Sequence, residues 1–317
     1  MHRTNPFRKI YDSEEFKSVL KRSDNLRPFP FLIDVESTNH CNLSCIFCGQ
    51  RAMTRKKGFM SDEIFKKIVD ECAAFGTPIR FIRWGEPFLH PRIIDFCEYA
   101  KSKGLPLHIT NNGLVIKEHH MKSLIALQVD SIVFSFQGAA KKGYELMRNN
   151  NGYDKLKKNI LKMVELRGTK EKPFIHISST MLDETKDEVE AFTNHWRGMV
   201  DSVGCGKTNL SRLSASQIKS FEHINKIEVL KRRETIRKEH RPCKEIYQKI
   251  SVDWDGKVTC CCGDFDGYLT VGDIRESSLY EVWNNGEYLK IFRKLLDDGK
   301  FRSLTLCSNC YHTYDEI

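Results

Sequence analysis

This 317-residue sequence lacks a long apolar run. The longest candidate, 123–140, is interrupted by Gln128, Asp130 and Gln137, which makes it too polar for a helix that crosses a bilayer. Residues 1–16 carry charge throughout and contain no apolar core, which excludes a secretory signal and leads to the expectation of a cytoplasmic protein. Internal repeats and low-complexity tracts are also missing, so nothing points to a repeat array or a disordered tail.

Cysteine is plentiful by contrast, with 12 in the chain. Cytoplasmic thiols are kept reduced, so disulfides do not explain them, and metal binding is the reading their spacing suggests. Seven fall into two groups, Cys41, Cys45 and Cys48 near the start and Cys243, Cys261, Cys307 and Cys310 near the end. Cys260 and Cys262 flank Cys261, while Cys72, Cys97 and Cys205 read as core residues. The net charge is +9, with a visible concentration of basic residues at 231–241; Glu234 and Glu239 break up that run and Glu228 precedes it. A solvated helix face explains that stretch better than a nucleic-acid surface, although an acidic substrate or electron donor also suits the charge.

From residue 31 to about 203, short β-branched runs alternate with longer amphipathic ones. Strands are expected at 31–36, 79–83, 107–111, 131–136, 174–180 and 199–203, and helices at 61–75, 91–103, 117–126, 152–167 and 186–197. Six β–α units require a parallel sheet with helical crossovers, whose chemistry gathers at the C-terminal strand ends. The loops at Cys41, Gly85-Glu86-Pro87, Asn111-Asn112-Gly113 and Gln137-Gly138 follow the first four strands and should open on one rim. After a polar connector, 251–261 reads as a hairpin turning at Asp255-Gly256, and 279–296 as a helix. The expected fold class is α/β, a partial (β/α)6 TIM-like barrel with a small C-terminal β-hairpin-plus-helix cluster-binding domain. The divisions expected are an extension over 1–29, the barrel over 30–205, a helical connector over 206–242 and the auxiliary domain over 243–317.

Three thiolates at Cys41, Cys45 and Cys48 are one short of a closed tetrahedral site. A 4Fe–4S cluster held by three cysteines keeps its fourth iron open to another molecule. A zinc loop completed by a distant ligand is the alternative. Cys41-x3-Cys45-x-Phe47-Cys48 closely resembles the signature of the radical S-adenosylmethionine (radical SAM) enzymes, and Gly85-Glu86-Pro87 matches that family's Gly-Glu-Pro element. The resemblance implies that Cys41, Cys45 and Cys48 hold the cluster, whose open iron chelates the amino and carboxylate groups of S-adenosylmethionine. It also implies backbone contacts to that cofactor at Phe47 and at Gly85, Glu86 and Pro87. By the same resemblance, Asn111 and Asn112 on the third-strand loop, and Ser135 and Gln137 at the fourth strand, are expected at further cofactor-binding positions. Gln137 stands where many relatives carry Asp, and Arg83-Trp84 precede Gly85 where glycine is frequent.

Cys243, Gly256, Cys261 and Cys307-x2-Cys310 are similar to the auxiliary-cluster domain called SPASM, in its one-cluster Twitch form. That resemblance implies a second 4Fe–4S cluster on Cys243, Cys261, Cys307 and Cys310. A zinc ribbon is the alternative. Neighbours on a strand alternate sides, so Cys260 and Cys262 are expected to share the face opposite Cys261, and either could give hydrogen to a substrate radical; a small buried residue is the alternative.

The activity implied is reductive cleavage of S-adenosylmethionine to a 5′-deoxyadenosyl radical. The substrate expected is a sugar, aminocyclitol or similar small molecule whose C–H(OH) carbon is dehydrogenated or epimerised. The alternative is modification of a ribosomally made peptide, and the short stretch before Cys41 argues against a leader-binding domain there. A flavodoxin- or ferredoxin-type protein is the implied electron donor. A metal-containing nucleic-acid regulator is the non-enzymatic reading, against which the Gly-Glu-Pro element and the six β–α units stand.

Overall fold

The computed structural model describes residues 3–19, 26–181, 184–208 and 243–310. Nine strands form one sheet: β1 Leu32–Val35, β2 Ile79–Phe81, β3 Leu107–Asn111, β4 Ser131–Ser135, β5 Phe174–Met181, β6 Ser202–Lys207, β7 Lys249–Val252, β8 Lys257–Thr259 and β9 Thr270–Asp273. Their order is β6-β5-β4-β3-β2-β1-β7-β8-β9. Pairing is parallel from β6 through β1 to β7 and antiparallel from β7 to β9.

The helices are α1 Arg8–Tyr11, α2 Glu14–Lys17, α3 Asp62–Phe75, α4 Ile93–Ser102, α5 Glu118–Ala126, α6 Lys141–Arg148, α7 Tyr153–Arg167, α8 Lys186–Trp196, α9 Glu245–Gln248, α10 Leu279–Asn285 and α11 Glu287–Asp297. Local chemistry sets their ends. The Ser61 hydroxyl accepts the Ile64 N–H at the start of α3, and Gly76 closes it at φ +65°, a conformation that favours glycine. Reciprocal caps join Thr185 to Glu188 and Ser278 to Glu281 at the starts of α8 and α10. Where one helix was expected over 279–296, Gly286 divides two. A side-chain carbon there would meet the Val282 carbonyl oxygen at 2.4 Å, so glycine allows the close turn.

The register aligns Ile33, Ile79 and Leu107 on one face and Asp34, Arg80 and His108 on the other. The first set is fully buried, as expected of a sheet covered by helices. The second makes a polar interior. Arg80 forks onto Asp34 through Nε (2.7 Å) and Nη2 (2.9 Å) and donates to the Tyr11 hydroxyl at 2.8 Å. Lys249 of β7 approaches Asp34 at 3.6 Å. Burial, with Arg80 and His176 nearby, pushes the His108 imidazole down to about 3.

Residues 3–17 lie across the N-terminal ends of the strands. Phe7 meets the His108 ring edge-on at 5.6 Å, Phe16 meets Phe31 at 5.2 Å, and Arg3 donates to Asp201 and to the Gly168 and Lys170 carbonyls. The opposite ends are left to the loops.

The sixth strand begins three residues later than the 199–203 reading. The C-terminal hairpin is joined to the barrel sheet, because β7 lies parallel to β1, with Ile33 opposite Ile250. The connector from 209 and the basic run at 231–241 lie outside the described residues.

Candidate active site

The cysteine loop leaves β1 at Glu36 and is held in place by its own neighbours. Thr38 Oγ1 donates to the Gly58 carbonyl at 2.6 Å, Asn39 Nδ2 to the Lys56 carbonyl at 2.9 Å, and Ile46 N to the Met147 carbonyl at 3.0 Å. Cys48 precedes a short 3₁₀ turn, Gly49–Ala52, and its N–H reaches the Cys45 carbonyl at 3.1 Å.

The second-strand loop lies directly on this segment. Glu86 N donates to the His40 carbonyl at 2.8 Å. A side-chain carbon at Gly85 would fall 1.8 Å from the Thr38 carbonyl oxygen, so only glycine allows the approach. Pro87 opens a 3₁₀ turn that needs no N–H from it. The buried Glu86 carboxylate accepts the Phe88 N–H (3.1 Å) and the Asn112 N–H (2.7 Å), tying the second loop to the third. Burial raises Glu86 to about 7, against the pull of those N–H groups and of Arg148.

Asn112 completes the connection, with Nδ2 donating to Asn42 Oδ1 at 2.8 Å and reaching Cys41 Sγ at 3.9 Å. Asn111 turns inward instead, donating to the Val133 carbonyl and accepting the Gly113 N–H. Ser135, at the end of β4, offers its carbonyl to Arg148 at 2.7 Å. Gln137 does not join the group. Its amide donates to Thr180 O (2.6 Å) and Thr208 Oγ1 (2.9 Å) and accepts from Thr180 Oγ1 (2.7 Å), spending the side chain on β5 and the end of β6.

Arg148 is the residue that the sequence reading missed, together with the helix α6 that carries it. It is buried, donates through Nη1 to Cys45 Sγ at 3.6 Å and through Nη2 to the Ser135 and Phe136 carbonyls, and stands 5.7 Å over the Phe47 ring. The apolar spacing of Tyr144 and Met147 with Arg148 one residue on was the available signal.

The triad sulfurs are electrostatic neighbours. Burial, then the charges of Glu86, Cys45 and Cys48, pushes Cys41 up to about 12. All 12 cysteines lie within the described residues and none forms a disulfide. Among the described residues no group of three His, Cys, Asp or Glu side chains is arranged to hold a single metal ion. The donor set fits an iron–sulfur cluster: soft thiols drawn together, receiving N–H donors from Arg148 and Asn112, in a site where a cationic core would relieve the burial cost of their ionised forms. Arg148 Nε is buried without a partner among the described residues, which suits an anionic cofactor group beside the triad.

The second group gathers behind β8. Charge repulsion links Cys243 with Cys310, Cys260 with Cys307 and Cys243, and Cys261 with Cys310 and Cys243, and each of Cys243, Cys260 and Cys261 is pushed up, chiefly by burial. Cys307 rises to about 12. Arg293 packs behind them, 4.3 Å over the Trp283 ring. The strand does not run through the cysteine run. β8 ends at Thr259, and Asp264 N closes a turn onto the Cys261 carbonyl at 3.2 Å, so strict alternation does not assign faces to Cys260 and Cys262. Cys260 is buried with its thiol on the Leu269 carbonyl at 3.7 Å, whereas Cys262 is partly exposed. Cys72 and Cys97 are fully buried on α3 and α4, and Cys205 is exposed on β6 rather than in the core.

Comparison with known proteins shows the family. The family model described as "Radical SAM superfamily" matches residues 35–195, and the SPASM "Iron-sulfur cluster-binding domain" matches 243–311. The chain is 26% identical over 313 residues to the tungsten-containing aldehyde ferredoxin oxidoreductase cofactor-modifying protein of Pyrococcus furiosus, covering 86% of each. It is 22% identical over 287 residues to the S-adenosyl-L-methionine-dependent 2-deoxy-scyllo-inosamine dehydrogenase of Niallia circulans, covering 88% of this chain and 92% of that one. Its fold is similar to that of Streptococcus suis SuiB bound to precursor peptide SuiA, at TM-score 0.68 and 15% identity over 97% of this chain and 76% of that one. No helix among the described residues is long and apolar enough to cross a membrane. The chain therefore belongs to the radical SAM superfamily, as an enzyme with a SPASM domain whose cofactors are S-adenosylmethionine and 4Fe–4S clusters.

Proposed function

We propose that this enzyme oxidises a C–H(OH) carbon of a sugar, aminocyclitol or similar polyhydroxylated small molecule. The observation that carries the reading is the contact between the two cysteine loops. Thr54 and Arg55, just after Cys48, donate their N–H groups to Asp266 at 2.6 and 2.9 Å, just after Cys261. The loops read as the radical-forming and auxiliary sites would then share a rim, as an oxidation needs. The likeness over most of its length to an aminocyclitol dehydrogenase supports the same substrate class.

When bound, the cofactors supply a radical that removes a substrate hydrogen atom and an auxiliary acceptor for one electron. The chain supplies the rest. Cys41, Cys45 and Cys48 would hold the first cluster, and Cys243, Cys261, Cys307 and Cys310 the second. Backbone at Gly85–Pro87 and Phe47, with Ser135 and Arg148, would clamp the cofactor, and Asn111 and Asn112 would set the loop that braces it. Gln137 is left out of this set because its amide is committed to β5 and β6. The physiological reductant would be an acidic flavodoxin- or ferredoxin-type protein, matched to a net charge of +9. Redox-neutral epimerisation would need a thiol donor, and Cys262 is the better placed candidate, since Cys260 is buried against the Leu269 carbonyl.

Anaerobic reconstitution followed by turnover in D2O with polyol, aminocyclitol and peptide panels tests the reading. Loss of two hydrogens from a small molecule is the expected result. Deuterium uptake without oxidation would transfer the assignment to epimerisation, and turnover of peptides alone would overturn the substrate class.

A further inference from the structure

Two residues ahead of Gly85, the guanidinium of Arg83 is almost wholly enclosed, its side chain 1% exposed. Among the described residues it donates to no group of its own loop. Instead Nη1 donates to the carbonyls of Cys261 (3.1 Å) and Cys262 (3.4 Å), and Nη2 to the carbonyl of Asp264 (3.0 Å) and to Asp253 Oδ1 (2.7 Å). Trp84 Nε1 donates to the same Asp264 carbonyl at 2.8 Å. The far side of that turn is held by the Asp264 carboxylate, which accepts the N–H groups of Asp266, Gly267, Tyr268 and Leu269 at 2.7–3.2 Å.

Asp253 in turn belongs to a buried four-charge group. Arg55 forks onto Glu36 at 2.7 and 2.5 Å and reaches Asp253 at 3.4 Å. Glu36 follows β1, Asp253 follows β7, Arg55 follows the first cysteine loop and Arg83 follows β2, so four neighbouring segments of the rim each send one charge inward.

We propose that Arg83 is a positioning residue for the auxiliary iron–sulfur site, fixing the Cys261–Asp264 turn and lending it positive charge. The inference rests on the reading of Cys243, Cys261, Cys307 and Cys310 as that site's ligands. Burying a guanidinium is costly, and its fork is spent on three carbonyls of one turn, a pattern that a lysine point charge does not reproduce. With Arg83 removed, Asp253 keeps only its longer contact to Arg55, the turn loses three donors, and the site becomes more negative. A more negative surround disfavours the reduced cluster and lowers its potential.

The test uses the full chain carrying Cys45→Ala, so that iron signals come from the auxiliary site, combined with Arg83→Gln, Arg83→Lys or Trp84→Phe. Three quantities are measured: iron per reconstituted chain, the midpoint potential by an electron paramagnetic resonance titration, and hydrogen exchange in the metal-free protein. Arg83→Gln is expected to lower both iron content and potential, and to speed exchange of the 266–269 amides by at least about tenfold while β3 and β4 are unchanged. Arg83→Lys should restore the potential more than the exchange protection. Trp84→Phe, a milder change that keeps the test alive if Arg83→Gln does not fold, should loosen the turn with the potential retained. Full iron, an unshifted potential and unchanged exchange in the Arg83 variants would overturn the proposal alone. Absence of iron from the Cys45→Ala chain itself would overturn the auxiliary-ligand reading along with it.

Discussion

The Gly85 α-carbon lies so close to the Thr38 carbonyl that an added methyl group would stand 1.8 Å from its oxygen. Two loops from adjacent strands are therefore packed backbone to backbone at the point where the cysteine loop begins. Gly85→Ala must push them apart. Rates of S-adenosylmethionine cleavage should fall by about 100-fold, the scale expected when reacting groups are displaced by about an ångström. Formation of 5′-deoxyadenosine under reducing conditions measures this, and an unchanged rate would show that the contact does not position the cofactor.

Arg148 joins Cys45 Sγ to the end of β4 through one side chain. Arg148→Gln keeps a donor but loses the charge and the fork. Hydrogen bonds to charged groups contribute about 1.5–3 kcal/mol, so cofactor binding should weaken by roughly 10- to 100-fold. Equilibrium binding of S-adenosylmethionine to the reconstituted enzyme is the measurement.

The two cysteine groups should be separable. Cys45→Ala is expected to abolish 5′-deoxyadenosine formation, whereas Cys261→Ala should retain it and lose the oxidised product. Iron should fall from about eight to about four per chain in each case. Release of 5′-deoxyadenosine by Cys45→Ala at the unsubstituted rate would contradict the assignment of the triad.

His108 should make the fold sensitive to acid. Its folded value near 3 lies below the unfolded value near 6.5, so the unfolded chain binds the extra proton between those limits. Stability is thus fully present above about pH 6.5 and is lost as pH falls toward 3, by on the order of 4 kcal/mol from this group. Urea midpoints for the unsubstituted chain and His108→Gln should converge as pH falls through that window, because the variant lacks this loss. Parallel profiles would exclude the imidazole as the source.

Arg80 and Asp34 form a buried pair inside the barrel. Arg80→Ala leaves the Asp34 carboxylate with only the longer Lys249 contact and should destabilise the fold by about 3–5 kcal/mol. Replacing both residues with apolar ones should cost less than the single change, which denaturant titration of all three variants would show.

Much of the barrel could be read from sequence because buried parallel strands are short apolar runs and their helices carry long amphipathic patterns. Strands β1 to β5 accordingly lie within two residues of their expected limits. The helix α6 escaped because its eight residues offer a single apolar turn, and with it went Arg148, whose local signal is no more than its place beside Tyr144 and Met147. The triad and the Gly-Glu-Pro loop were legible because metal ligands and a close backbone approach restrict residue type. The turn at Cys261 was not, since it is held by Arg83, remote in the chain, as well as by the Asp264 carboxylate within it. Gln137 fits a ligand position by sequence, but Thr180 and Thr208, both remote in the chain, claim its amide.

The parallel pairing of β1 with β7 also bears on synthesis. Until the ribosome has delivered the chain from Ile33 to Ile250, the first strand has a neighbour on one side only. Its open edge presents unpaired backbone N–H and C=O groups beside the cysteine loop, which makes the nascent chain prone to strand-to-strand association and its thiols open to oxygen. Cells that make this enzyme should gain soluble protein where β1 is shielded, and oxygen kept low, until β7 has docked.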